Sequence, residues 1–217
     1  MDIENDPIDP KEIVARGYDR VGWRYSERAI QANFDERAQY VEMLIERLPT
    51  GAKVLDLGCG AGVPTTKQLA EHFTVTGVDI SKRQIDRARY NVPNATFIQA
   101  DMAELDFPPD SFDAVTAFYS IIHLPRDEQP KLLQSIATWL RPGGLLVATM
   151  GASSTEVGFE EIWLGTSMYW SHFDSETNKR LLEDAGFRLI SASVKTSVSS
   201  GESETFLWAV AQKPENS

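Results

Sequence analysis

The chain has 217 residues, of which 42% are hydrophobic, and 32 acidic against 21 basic side chains give it a formal net charge of −11. That length suits one domain with a core and a ligand cleft, and the acidic balance argues against nucleic acid, whose phosphates are held by lysine and arginine. No apolar run reaches the roughly eighteen residues of a membrane helix, the start MDIENDPIDP lacks a secretory layout, and one cysteine, Cys59, excludes a disulfide framework or a multi-cysteine metal centre, so the expectation is a cytoplasmic protein with small-molecule partners, no membrane contact and no metal.

In chain order, Asp9 can cap a helix with Pro10 at its first position and Glu12 three residues after the cap. A second helical pattern runs through FDERAQYVEMLIERLP. Strands are then predicted at 53–57, 74–79, 96–99, 114–118, 145–150, 187–194 and 206–211, and helices at 64–72, 82–90, 131–140 and 175–185. Ser81 with Gln84 resembles a capping box, Asp174 can cap the helix after it, and RPGG ends the helix before Leu145. This alternation predicts an α/β fold, a doubly wound, mostly parallel sheet with helices on both faces. The link TSVSSGESE is too short for a crossover helix, so the last two strands pair antiparallel. GASSTEVGFEEIWLGTSMYWSHFD reads as a long, aromatic-rich loop, and such loops are more often functional than idle. Trp163, Met168, Tyr169, Trp170 and His172 are its candidate substrate-lid residues, with His172 a possible base.

The first strand delivers VLDLGCGAG to the sheet edge just before a helix. Ligands of doubly wound sheets sit beyond the carboxyl ends of the strands, where Gly58, Gly60 and Gly62 let backbone approach closely or take positive φ. Asp79 ends the second strand, placed to accept ribose hydroxyls, and Asp101 lies at the same edge within reach of an exocyclic amine. The spacing is G-x-G-x-G, not the G-x-G-x-x-G of dinucleotide sites. Asp56 in the loop approach opposes a pyrophosphate but suits an ammonium group, held directly or through water.

VLDLGCGAG, VTGVDIS, ADMAELDFPPDSFDAV and LRPGGLLV resemble, in order and spacing, the successive motifs of class I S-adenosylmethionine-dependent methyltransferases. The resemblance implies a Rossmann-like, seven-stranded sheet whose last strand inserts antiparallel, and S-adenosylmethionine as cofactor. It implies Gly58, Gly60 and Gly62 at the methionine part, with Cys59 contributing backbone contacts, Asp79 at the ribose, Ile80 against the adenine ring, and Asp101 with Met102 beside it; Gln84 is grouped with this set. YDRVGWRY resembles the Y-D-x-x-A-x-x-Y lid of small-molecule members, with Gly22 in place of alanine, so Tyr18 and Tyr25 become candidates for closing the site. In AFYSIIHLP, Phe118 and Tyr119 would flank the donor, with Tyr119 toward the substrate, and His123 is the titratable group best placed to take a proton. The same stretch lacks the Asn/Asp-Pro-Pro-aromatic signature of enzymes that methylate base amines.

The expected organisation is a single domain: an N-terminal helical lid over 1–48, a cofactor core over 50–150, a substrate-lid insertion over 151–173, and a C-terminal helix and strand pair over 174–217. The expected activity is methyl transfer to O, N or C of a small, flat or hydrophobic molecule. Two alternatives stand beside it, a protein that binds S-adenosylmethionine without transferring its methyl group and an NAD-dependent oxidoreductase.

Overall fold

A computed structural model describes residues 9–22, 34–199 and 202–215. Helix α1 (Pro10–Val21) starts where Asp9 accepts the Lys11 amide, with Pro10 in the first turn. Helix α2 (Phe34–Arg47) precedes the alternating part: β1 (Lys53–Leu57), α3 (Thr65–Ala70), β2 (Thr74–Asp79), α4 (Lys82–Asn91), β3 (Thr96–Gln99), β4 (Phe112–Ala117), α5 (Gln129–Trp139) and β5 (Leu140–Gly151). Strands β6 (Thr155–Trp163) and β7 (Thr166–His172), helix α6 (Ser175–Asp184), and strands β8 (Arg188–Ser199) and β9 (Glu202–Gln212) complete the described elements. Ser81 and Asp174 cap α4 and α6 through the amides of Gln84 and Thr177.

The main sheet has seven strands in the order β3-β2-β1-β4-β5-β9-β8. Pairing is parallel from β3 through β5, while β9 runs antiparallel between β5 and β8. This is the α/β, mostly parallel architecture expected from the motifs. Neighbouring residues of β1 point to opposite faces, as strand geometry requires. Leu55 and Leu57 pack with Leu132, Ile136 and Leu182 on the α5–α6 side. Val54 packs with Leu44, Leu69 and Ile85 on the side of α2, α3 and α4. The strand order reverses between β1 and β4, and the cleft opens there, beyond their carboxyl ends. Among the described residues no helix is long and apolar enough to cross a membrane.

Two predictions require correction. The segment expected as a loop is a hairpin, β6 against β7, turned by Leu164 and Gly165, both at positive φ. Its periodicity is hidden because β6 is half-buried or exposed all along its length and register shifts interrupt the pair. Strands β8 and β9 also extend beyond their apolar stretches. Their ladder continues to Ser199 and Glu202 through polar pairs such as Thr196 with Thr205, which no burial pattern marks.

Candidate active site

At the reversal point lies a cavity of about 640 Å³, counted with its open mouth. One end is built by the first βα turn. Gly58 and Gly60 have φ of +74° and +54°. A Cβ on Gly58 would stand 2.2 Å from the Ser120 Cβ, whereas at Gly60 nothing lies within 4 Å. Gly58 is therefore demanded by packing between loops, and Gly60 leaves its side of the cavity open. Gly62, absent from the cavity wall, lets the turn rest on Ala88 of α4 and on Val92 just past its end.

Asp79 holds this end in shape. One carboxylate oxygen accepts the Gly60 amide and the other the Ser81 amide, both at 2.9 Å. Burial pushes its carboxyl up to about 6 despite the opposing pull of the two amides. Ile80, Asp101, Met102 and Phe118 also line the cavity. Asp101 accepts the Ala103 amide and pairs with Lys11 at 2.7 Å. Lys11 also reaches Glu128 at 3.0 Å; burial alone would lower its pKa, but the two carboxylates raise it. Cys59 lies beside the turn, its thiol pushed up by burial and by Asp79 and Asp56, which leaves no thiolate for chemistry at neutral pH.

The other end joins three distant segments. The Tyr18 hydroxyl lies 2.8 Å from Nε2 of His123, and Nδ1 of His123 lies 2.8 Å from the Tyr169 carbonyl. A carbonyl only accepts, so Nδ1 carries the proton and Nε2 accepts from the Tyr18 hydroxyl. Burial lowers the His123 pKa to about 4, against the raising effect of the Tyr169 carbonyl. Tyr119 lines the same region at φ +56°, an uncommon conformation for a residue with a side chain. Its amide donates to the Thr149 hydroxyl, and its ring meets Phe206 and Trp208 edge-on.

Helix α1 lies across the cavity and is tied down at both ends. Lys11 fastens its start. Near its end Asp19 accepts the Ser81 hydroxyl at 2.6 Å and the Arg83 amide at 3.0 Å. Lys11, Val14 and Tyr18, all on the cavity wall, recur at helical spacing. That helical spacing marks Lys11 in the sequence, although no motif contains it; Ser120 carries no such mark, because its place follows only from its packing against Gly58.

Several candidates are placed differently from expectation. Asp56 is 2% exposed, and its oxygens accept the Thr66 and Thr116 hydroxyls at 2.6 and 2.8 Å. Burial raises its pKa against those hydroxyls and the Arg37 charge. It shares the Val54 face of β1 and points toward α3, so it supports the turn from behind instead of gripping an ammonium. Gln84 is buried, and its amide donates to the Gly22 carbonyl, so it anchors the end of α1. His172 hydrogen-bonds the Ser153 carbonyl at 2.7 Å and stands away from the cavity wall. Met168 is packed under Gly17 of α1. Tyr169 contributes its carbonyl, and Trp163 and Trp170 brace Tyr18 and His123 from outside, with ring centroids 5.7 and 5.9 Å away. The aromatic hairpin thus buttresses the Tyr18–His123 end of the cavity. Tyr25 lies outside the described residues.

This arrangement has relatives. Residues 54–144 match the family described as Methyltransferase domain. The O-methyltransferase rstn1 of Aspergillus nomiae is 30% identical over 179 residues, covering 71% of this chain and 77% of that protein. The chain belongs to the S-adenosylmethionine-dependent methyltransferases. Methyltransferase GfsG of Streptomyces halstedii is 35% identical over 166 residues, 69% of this chain and 58% of the relative's own length. Magnesium protoporphyrin IX methyltransferase from Synechocystis shares the fold, with a TM-score of 0.74, 20% identity, and coverage of 96% of this chain and 99% of that one. The cofactor of this methyltransferase is therefore S-adenosylmethionine, and the oxidoreductase alternative falls away.

Proposed function

We propose that this methyltransferase moves a methyl group from S-adenosylmethionine to an O, N or C atom of a small, flat or hydrophobic acceptor. The observation that carries the reading is the continuity of one cavity, from Gly60, Asp79 and Asp101 at one end to Tyr18 and His123 at the other. When bound, the cofactor supplies an electrophilic methyl group on a sulfonium.

The residues present fit that cofactor. Each carboxylate oxygen of Asp79 has a second lone pair beyond its backbone donor, suited to the two ribose hydroxyls. The bare Cα of Gly60 leaves room for the ligand, with Ile80 and Met102 against the adenine and Asp101 at its amine. Tyr18 closes the site from α1, and Tyr119 with Phe118 flanks the reacting atoms.

Tyr18 and His123 divide the proton handling. Keeping a proton on His123 at pH 7 costs about 4 kcal/mol, given a pKa near 4. His123 therefore works first as a fixed acceptor that turns the Tyr18 hydroxyl proton toward itself. A proton on an oxygen or aromatic-carbon acceptor becomes strongly acidic once the new bond forms, and only then does its transfer through Tyr18 to His123 run downhill. An amine acceptor becomes an ammonium ion, a far weaker acid than the His123 imidazolium, and loses its proton to water instead. Alignment and exclusion of water account for much of the acceleration in such an in-line displacement. The test is incubation with methyl-labelled S-adenosylmethionine and acceptors of the phenol, amine and activated-carbon classes. Label in one acceptor with S-adenosylhomocysteine released is the expected result. Tight cofactor binding with no label transferred to any of them would favour the reading in which the cofactor is held without turnover.

A further inference from the structure

A second concavity lies between α2 and the β8–β9 edge, enclosing about 520 Å³ with its open space. Its floor is apolar, from Tyr40, Met43, Ile190 and Val210, and its charged residues are Arg47 and Lys195. Some cations elsewhere among the described residues, such as Lys11, Arg141 and Lys213, sit on carboxylates, and others, such as Lys67 and Lys131, do not. Among the described residues Arg47 and Lys195 have no carboxylate partner, although the chain carries 11 more acids than bases. The Lys195 ammonium is held in place by aromatic faces, 5.1 Å from the Tyr40 ring and 5.6 Å from the Trp208 ring. Gln39 and Ser191 add polar side chains at the rim.

We propose that this groove is a second ligand site, distinct from the cofactor cavity, that takes a small amphipathic anion: a carboxylate on a compact apolar body. The two cations meet the carboxylate, and the apolar floor loses water to the body. Tyr40 stacks on Trp208, with centroids 4.9 Å apart and planes 6° from parallel, and Trp208 meets Tyr119 of the cofactor cavity edge-on at 5.7 Å. The two sites thus share one aromatic wall. Trp208 is 2% exposed, so that wall is closed and the groove ligand is not the methyl acceptor reaching through. The proposal stands independently of methyl transfer.

Methionine methyl groups give a direct test, because Met43 borders the groove and Met102 the cofactor cavity. The chain labelled with 13C-methyl methionine is titrated with naphthalene-2-carboxylate, with its neutral analogue naphthalene-2-methanol, and with S-adenosylhomocysteine. The carboxylate should shift Met43 saturably and leave Met102 unmoved, and S-adenosylhomocysteine should do the reverse. The alcohol should bind at least about tenfold more weakly, and the pair of substitutions Arg47→Gln and Lys195→Gln should weaken the carboxylate by a similar factor while leaving S-adenosylhomocysteine affinity unchanged. An unmoved Met43, a shift abolished by S-adenosylhomocysteine, or equal affinity for acid and alcohol would each overturn the site. If the double variant fails to bind S-adenosylhomocysteine, the comparison of acid with alcohol on the unaltered chain decides alone.

Discussion

The two ends of the cavity are built on opposite principles. The end proposed for the cofactor is local: backbone amides of Gly60 and Ser81 and the one carboxylate of Asp79 all come from a single β-α-β unit. The end proposed for methyl transfer is long-range, with Tyr18 and His123 separated by 105 positions and His123 and Tyr169 by 46. On the proposed function, binding and chemistry rest on different parts of the fold. The first survives if the strand-turn-helix survives, while the second also needs α1 and the hairpin docked in register. Substitutions should therefore separate the two.

The largest effect is expected inside the local end. Gly58→Ala forces a methyl group against Ser120 in a positive-φ turn, and should destabilise the fold by about 2–5 kcal/mol in chemical denaturation, adding overpacking to backbone strain. Gly51→Ala has φ +81° but nothing within 4 Å; it should cost only about 1 kcal/mol, the backbone part alone. A similar loss at both positions would remove the packing argument for the turn. Next, Asp79→Ala should weaken S-adenosylhomocysteine binding by about 1–3 kcal/mol, the cost of losing hydrogen bonds to a charged group. Calorimetry showing unchanged affinity would deny Asp79 the ribose.

At the long-range end, His123→Ala should lower kcat by about 100-fold, the lower end of the usual contribution from positioned proton handling, with cofactor affinity nearly intact. Equal losses in both would assign His123 to the cofactor instead. The two ends should also differ in pH response. The Asp79 pKa is raised to about 6 in the ligand-free fold, and ribose hydroxyls need the carboxylate form. Affinity should therefore be full above pH 6 and fall below it by up to about tenfold per pH unit. His123, with a pKa near 4, stays neutral over that range and adds nothing to the slope. Flat affinity from pH 5 to 7 would contradict the pairing of Asp79 with the sugar. The smallest effect belongs to His172→Ala, which should change kcat by less than about twofold, as surface changes away from a site usually do. A large loss would return His172 to the machinery.

What was legible in the sequence was whatever depends on neighbours along the chain. The caps at Asp9, Ser81 and Asp174, the glycine turn, and the acids ending β2 and β3 all follow from side chains acting within a few residues of themselves. Placing those turns at one edge needed only the alternation that makes a parallel sheet.

The tertiary structure decided what faces what. Asp56 lies two residues from the turn, yet β1 alternates and turns its carboxylate to Thr66 and Thr116. Gln84 follows the same cap as Ser81 but is claimed by the Gly22 carbonyl, 62 positions away. The aromatics of residues 155–172 carry no clean period, because β6 has no buried face to impose one, so their hairpin and its buttressing of His123 could not be read in advance. Local rules encode a conformation through steric and hydrogen-bonding preferences of adjacent residues, whereas a contact such as Tyr18 with His123 exists only after burial elsewhere has brought two remote segments together.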